Sequence, residues 1–186
     1  MIKILYDILP FGLDEKNKKI ITDNGFVSVA ICASENIIVT GLGKTISSLL
    51  KDYKLAAWVK SDEKVALQLQ EHVGMECYYK EMKPVGLLKY TLPEVAFVLT
   101  EKNIPYLLEN FNQFSSLEIY ALHNVVSVDK FLLQLKSHPA RVDCTNILTY
   151  LKYSELIINK SGDEDELELT LKTKNAKKVL NSFFVQ

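Results

Sequence analysis

Short apolar runs alternate along the chain with segments whose apolar residues recur every three or four positions. The first kind of pattern predicts strands and the second amphipathic helices. Residues 2–9 read as a strand. Residues 12–24 are polar and read as a surface excursion that turns at Asn24-Gly25. Phe26–Ala33 and Ile37–Thr40 are runs of β-formers, either neighbouring strands or a hairpin around Ala33–Asn36.

From there strand and helix patterns alternate. Ile46, Leu49, Leu50 and Tyr53 predict a helix over 45–53, and Leu55–Val59 a short buried strand. Ser61 is placed to cap the next helix, with Asp62 and Glu63 in its first turn. Val65, Ala66, Leu69 and Val73 form its apolar stripe, and Gly74 is a good terminator. Met75–Tyr79 is strand-like. Residues 80–93 contain Pro84, Gly86 and Pro93 and read as irregular, a boundary or a lid.

A second series follows. Val95–Leu99 predicts a strand, and Ile104, Leu107, Leu108 and Phe111 predict a helix with Pro105 in its first turn. Leu117–Leu122 predicts another strand, and Ser127 caps a helix carrying Val128, Phe131, Leu132 and Leu135. Residues 137–146 break the pattern, and 146–152 could form a short helix. Glu155–Asn159 and Glu166–Leu171 flank the turn signal Lys160-Ser-Gly-Asp-Glu-Asp165 and predict a hairpin. Ala176, Val179, Leu180 and Phe183 make a last helix stripe.

Strands alternating with helices predict an α/β fold. The expected architecture is a three-layer sandwich around a mostly parallel sheet. It has antiparallel edge strands and ends in a β-hairpin plus helix. The 186 residues suit one domain over 1–186, with 80–93 the place for any sub-division.

The composition, 48% hydrophobic and 24% charged, is that of a globular chain, and the formal net charge is −1. No global field attracts nucleic acid or acidic lipid. Arg141 is the only arginine among 22 cationic residues, so the planar fork that grips phosphates and bases is nearly missing. Nucleic acid is therefore not an expected partner. Cys32, Cys77 and Cys144 are widely spaced and suggest neither disulfide framework nor zinc site. With no apolar run near the ~18 residues of a membrane span and no leader pattern in Met-Ile-Lys-Ile-Leu-Tyr-Asp, a cytoplasmic protein without a membrane role is expected.

The segment with the most chemistry is Thr40-Gly41-Leu42-Gly43-Lys44-Thr45 between a strand run and a helix. A glycine turn there points backbone N–H groups above a helix N-terminus, as phosphate loops do. It resembles GxxxxGK[ST], but the first glycine position holds Ile38. It resembles GxGxxG/A, but the third position holds Ile46, too large for close helix–strand packing. Lys60 and Ser61, at the end of the next strand, could hold a phosphate instead. The plain structural reading is a strand-to-helix turn whose glycines allow φ > 0 and whose threonines cap.

Ser137–Asn146 holds His138, Arg141, Asp143 and Cys144, a nucleophile-like mix that also reads as a helix-ending loop. His72 falls near a helix C-terminus, where it complements the dipole. His123-Asn124 ends the Leu117–Leu122 strand, where ligands meet open α/β sheets, with Asp7 and Glu101 the acids to watch. The acidic turn 163–166 lacks the ligand spacing of a calcium loop, and no metal site is expected. No cofactor and no reaction are selected.

Two functions of different class fit. The first is a non-catalytic binding or regulatory partner of another macromolecule, with an immunity-type inhibitor as one form. The alternative is a small Rossmann-like domain for a nucleotide or phosphometabolite, enzymatic or not, using residues 40–45 with Lys60 and Ser61. An enzyme centred on the His123 or Cys144 region is a third.

Overall fold

Leu55, Ala57 and Val59 alternate with Ala56 and Trp58, and all five are buried. A strand buried on both faces needs cover above and below, and that requirement shapes the whole molecule. In the computed structural model, residues 3–6, 15–32, 43–74, 78–80, 84–85, 89–90, 92–100, 103–136, 150–161 and 166–181 are described. Their elements begin with β1 (Lys3–Tyr6), α1 (Glu15–Asp23), β2 (Phe26–Cys32), α2 (Gly43–Leu50), β3 (Lys54–Ser61) and α3 (Glu63–Val73). Next come β4 (Tyr78–Lys80), β5 (Pro84–Val85), β6 (Lys89–Tyr90), β7 (Glu94–Leu99), α4 (Asn103–Glu109) and β8 (Phe114–Leu122). The last are α5 (Val128–Lys136), β9 (Ser154–Ser161), β10 (Glu166–Lys172) and α6 (Thr173–Asn181).

Eight strands form one sheet in the order β1-β2-β10-β9-β8-β3-β7-β4, while β5 and β6 pair separately. Every neighbouring pair is antiparallel. The expected mostly parallel central sheet is therefore wrong. The reason lies in how the strand–helix alternation is used. β7 and β8 are joined through α4 and run the same way, but β3 lies between them and pairs antiparallel with both. Likewise β3 and β4, joined through α3, have β7 between them. Each crossover makes parallel strands, and the other crossover splits them. Residues 54–122 thus form a βαββαβ unit, the split arrangement of ferredoxin-like folds.

Helices lie on both faces of the sheet. On the first face, Leu50 of α2, Val65, Ala66 and Leu69 of α3, Ile104 and Leu107 of α4 and Leu180 of α6 pack on Val29, Leu55, Phe97, Ile119, Ile158 and Leu169. On the second, Phe131, Leu132 and Leu135 of α5 join Tyr150 and Leu151 over Ala56, Trp58, Tyr120 and Ile157. Ile21 of α1 belongs to this second cluster.

Local signals explain the ends of α3. Asp62 Oδ1 accepts from the Val65 N–H at 2.9 Å, so Asp62 is the cap and not Ser61. Ser61 is one residue too early because it still belongs to β3, its N–H bonding to the Pro93 carbonyl at 3.3 Å. Gly74 ends the helix with φ 88°, a conformation that favours glycine. The polar stretch read as a surface excursion contains α1, and the irregular stretch 80–93 contains the small β5–β6 pair. The expected strand Ile37–Thr40 lies outside the described residues.

Candidate functional site

The glycine turn divides at Gly43. Thr40 and Gly41 lie outside the described residues, while Gly43, Lys44 and Thr45 form the backbone of the first turn of α2. The strand end expected to complete a phosphate site works against it. Ser61 is fully buried, and its hydroxyl donates to the Asp62 carbonyl at 3.2 Å. The Asp62 carboxylate already occupies the positive end of α3, where an anion would sit. Lys60 stands opposite Glu94 on β7 and Ser116 on β8. The Rossmann-like premise is corrected at the level of the sheet as well. A ligand crevice of that kind needs adjacent parallel strands reversing order, and this sheet has no adjacent parallel pair among the described residues.

His123 and Asn124 are brought into a defined cluster. β8 delivers His123 to the end of the sheet, where its N–H bonds to the Tyr153 carbonyl at 2.9 Å. The chain then turns, and the Val126 N–H bonds back to the His123 carbonyl at 2.9 Å. Lys54, the first residue of β3, donates from Nζ to the Asn124 carbonyl at 2.8 Å. Opposite this turn the ladder is irregular. Ala121 pairs with Leu156 but Leu122 pairs with Ser154, which leaves Glu155 as the extra residue of a bulge.

The bulge turns the Glu155 carboxylate onto the cluster. Oε1 lies 3.1 Å from His123 Nδ1, and Asn175 of α6 donates to Oε2 at 3.4 Å. The dyad is only partly covered, with side-chain exposures of 21% for His123 and 30% for Glu155. Tyr53 adjoins it. Burial raises the Tyr53 hydroxyl pKa, and the charges of Glu155 and Asp52 raise it further. A carboxylate on Nδ1 fixes the orientation of the imidazole ring. Among the described residues nothing bonds Nε2. At the tip of the same turn Val125 is 94% exposed, far more than Leu67 or Leu133, the other large apolar residues exposed among those described.

A second polar group was not foreseen from the sequence. Trp58, Glu118, Asn159 and Glu168 stand in one register row across β3, β8, β9 and β10. The Tyr120 hydroxyl donates to Glu118, and Trp58 Nε1 reaches Glu94 Oε2 at 3.4 Å. Asn159 Nδ2 donates to Glu168 Oε2 at 3.0 Å. Glu94 and Glu118 are buried. Burial holds the Tyr120 hydroxyl well above its ordinary pKa, and the charge and hydrogen bond of Glu118 add to the shift. The available signal was an acid inside an apolar run, as in Leu117-Glu-Ile-Tyr-Ala-Leu122.

His72, in the last turn of α3, stacks on Tyr106 with ring centroids 3.8 Å apart. His138, Arg141, Asp143 and Cys144 lie outside the described residues, as do Asp7, Glu101 and the acidic turn 163–165. Among the described residues no group of His, Cys, Asp and Glu could hold a metal ion. No helix among them is long and apolar enough to cross a membrane. Comparison with protein-family models, with curated proteins and with solved structures finds no match.

Proposed function

We propose that this chain works in the cytoplasm as a non-catalytic partner of another protein, docking through the 123–126 turn. The observation that carries the reading is Val125, an aliphatic side chain 94% exposed at the tip of a pinned turn. The turn is tied to Tyr153 by the His123 N–H, to β9 by the His123–Glu155 contact, to β3 by Lys54 and to α6 through the Glu155–Asn175 bond. A knob already held in place loses little conformational freedom when it enters a partner's pocket. The polar groups around it suit the rim of such an interface. An immunity-type inhibitor is one form of such a partner.

The test is capture of partner protein by tagged wild type and by Val125→Asp. Capture is expected to fall at least about tenfold in the variant, the scale of a small interface anchor. The melting temperature stays unchanged, since Val125 supports no core. Equal capture by both proteins overturns the reading, as does failure of wild type to retain any partner in stoichiometric amount.

A further inference from the structure

We infer that Asn24-Gly25 is a spontaneous modification site, gated by the last turn of α1, whose isoaspartyl product unfastens α6. It is the only Asn-Gly pair in the sequence. The side-chain amide of an asparagine is open to attack by the backbone nitrogen of the next residue, and a following glycine has no Cβ to obstruct the approach. Residues 22–25 are all exposed, so water reaches the pair. The site is independent of the Val125 turn.

The reaction balances within the chain and one water. The Gly25 nitrogen bonds to Asn24 Cγ and gives up its proton, while the Cγ–Nδ2 bond breaks and Nδ2 leaves as ammonia. Water then opens the succinimide ring. Opening at Cγ yields aspartate. Opening at the main-chain carbonyl yields isoaspartate, whose backbone runs through Cβ and Cγ and is one carbon longer.

The folded turn engages both reacting groups. Asn24 Nδ2 donates to the Ile20 carbonyl at 2.8 Å, and the Gly25 N–H donates to the Thr22 carbonyl at 2.9 Å. Both bonds must break before the attack. They close the exposed end of a helix, where the Asn24 N–H is shared between the Ile20 and Ile21 carbonyls at 3.2 Å each. A helix end of this kind opens locally without global unfolding. That opening is the gate.

The product cannot restore the turn. A carboxylate at position 24 presents an acceptor to the Ile20 carbonyl where a donor stood. It also adds negative charge beside Asp23, at the negative end of a helix whose last turn holds no basic residue. In the isoaspartyl form the longer main chain displaces Gly25 as well. The Gly25 carbonyl accepts from the N–H of Thr173, the first residue of α6, at 2.9 Å. Moving it removes that anchor, two residues before the Asn175 that holds Glu155.

The experiment ages the full chain in neutral buffer at body temperature and maps its peptides by mass spectrometry, with chromatography to separate aspartate from isoaspartate. Asn24 is expected to convert faster than every other asparagine. It should still convert at least about fivefold more slowly than in concentrated urea, because the turn must open first. The isoaspartyl chain is then isolated by ion exchange. Hydrogen exchange at the Thr173 amide should be at least about tenfold faster in it than in fresh protein. Aged Asn24→Gln should keep the fresh rate. Asn24→Asp carries the charge without the added carbon. It should lower the melting temperature by about 2–6 °C and leave Thr173 protected. Conversion of Asn24 no faster than of other asparagines, or as fast folded as in urea, overturns the proposal. So does an isoaspartyl chain with Thr173 still protected, or an unchanged melting temperature for Asn24→Asp.

Discussion

The sheet end and the second face of the sheet use the same chemical parts in opposite ways. At the end, Glu155 meets His123 and Asn175 where water reaches the pair. On the second face, Glu118 meets Tyr120, and Glu94 meets Trp58, in a buried layer. A carboxylate in water gains little from one more donor, because water offered the same bonds. A buried carboxylate depends on its donors, since nothing replaces them. The buried row therefore fixes strand register and core geometry. The sheet end remains free to exchange its bonds with water.

Four measurements can break that contrast. Trp58→Ala should cost the most, about 3–5 kcal/mol by chemical denaturation, from lost burial and an unfilled cavity beside Glu94. A cost under 1 kcal/mol would mean that the second face is not packed as described. Tyr120→Phe should cost about 1–3 kcal/mol, because Glu118 loses a donor while the ring packing against Phe131 is kept. The same tyrosine sets an alkaline limit. Its pKa is raised on folding, so the stability it supplies is complete below its ordinary value near 10. That stability is lost as pH climbs from there toward the folded value. Ultraviolet titration should show one tyrosine ionising only together with unfolding, and its early ionisation would place Tyr120 in water.

Glu155→Gln should cost least, under about 1 kcal/mol, because the dyad is partly exposed. A loss larger than that of Tyr120→Phe would reverse the comparison and make the sheet end a structural keystone.

How much of this was legible in the sequence differs between the two regions. Local patterns located β3, α3, β7, α4, β8 and α5 to within a few residues. They could not say which strand stands beside which, because helical crossovers to an adjacent strand and over an intervening one read alike. Lys160 shows the same limit on a smaller scale. It sits at the start of a polar turn signal, yet it is buried at 3% exposure, donating to the Phe111 and Phe114 carbonyls at 3.0 and 2.9 Å. His123 was found because a residue ending a strand is conspicuous. Its partner Glu155 was not, because a bulge depends on both strands and only one is local to it. Glu94 and Glu118 are buried only because the sheet has cover on both faces, which no local pattern announces.

The position of β9 and β10 between β2 and β8 has a consequence for biosynthesis. These two strands follow every other described strand in the chain. Until they leave the ribosome, β2 lacks its partner on one side and the βαββαβ unit presents β8 as a bare edge. Such edges invite pairing with other chains. The nascent chain therefore passes through a stage at which the split unit can form but the sheet cannot close up. The late hairpin both completes the fold and removes that hazard.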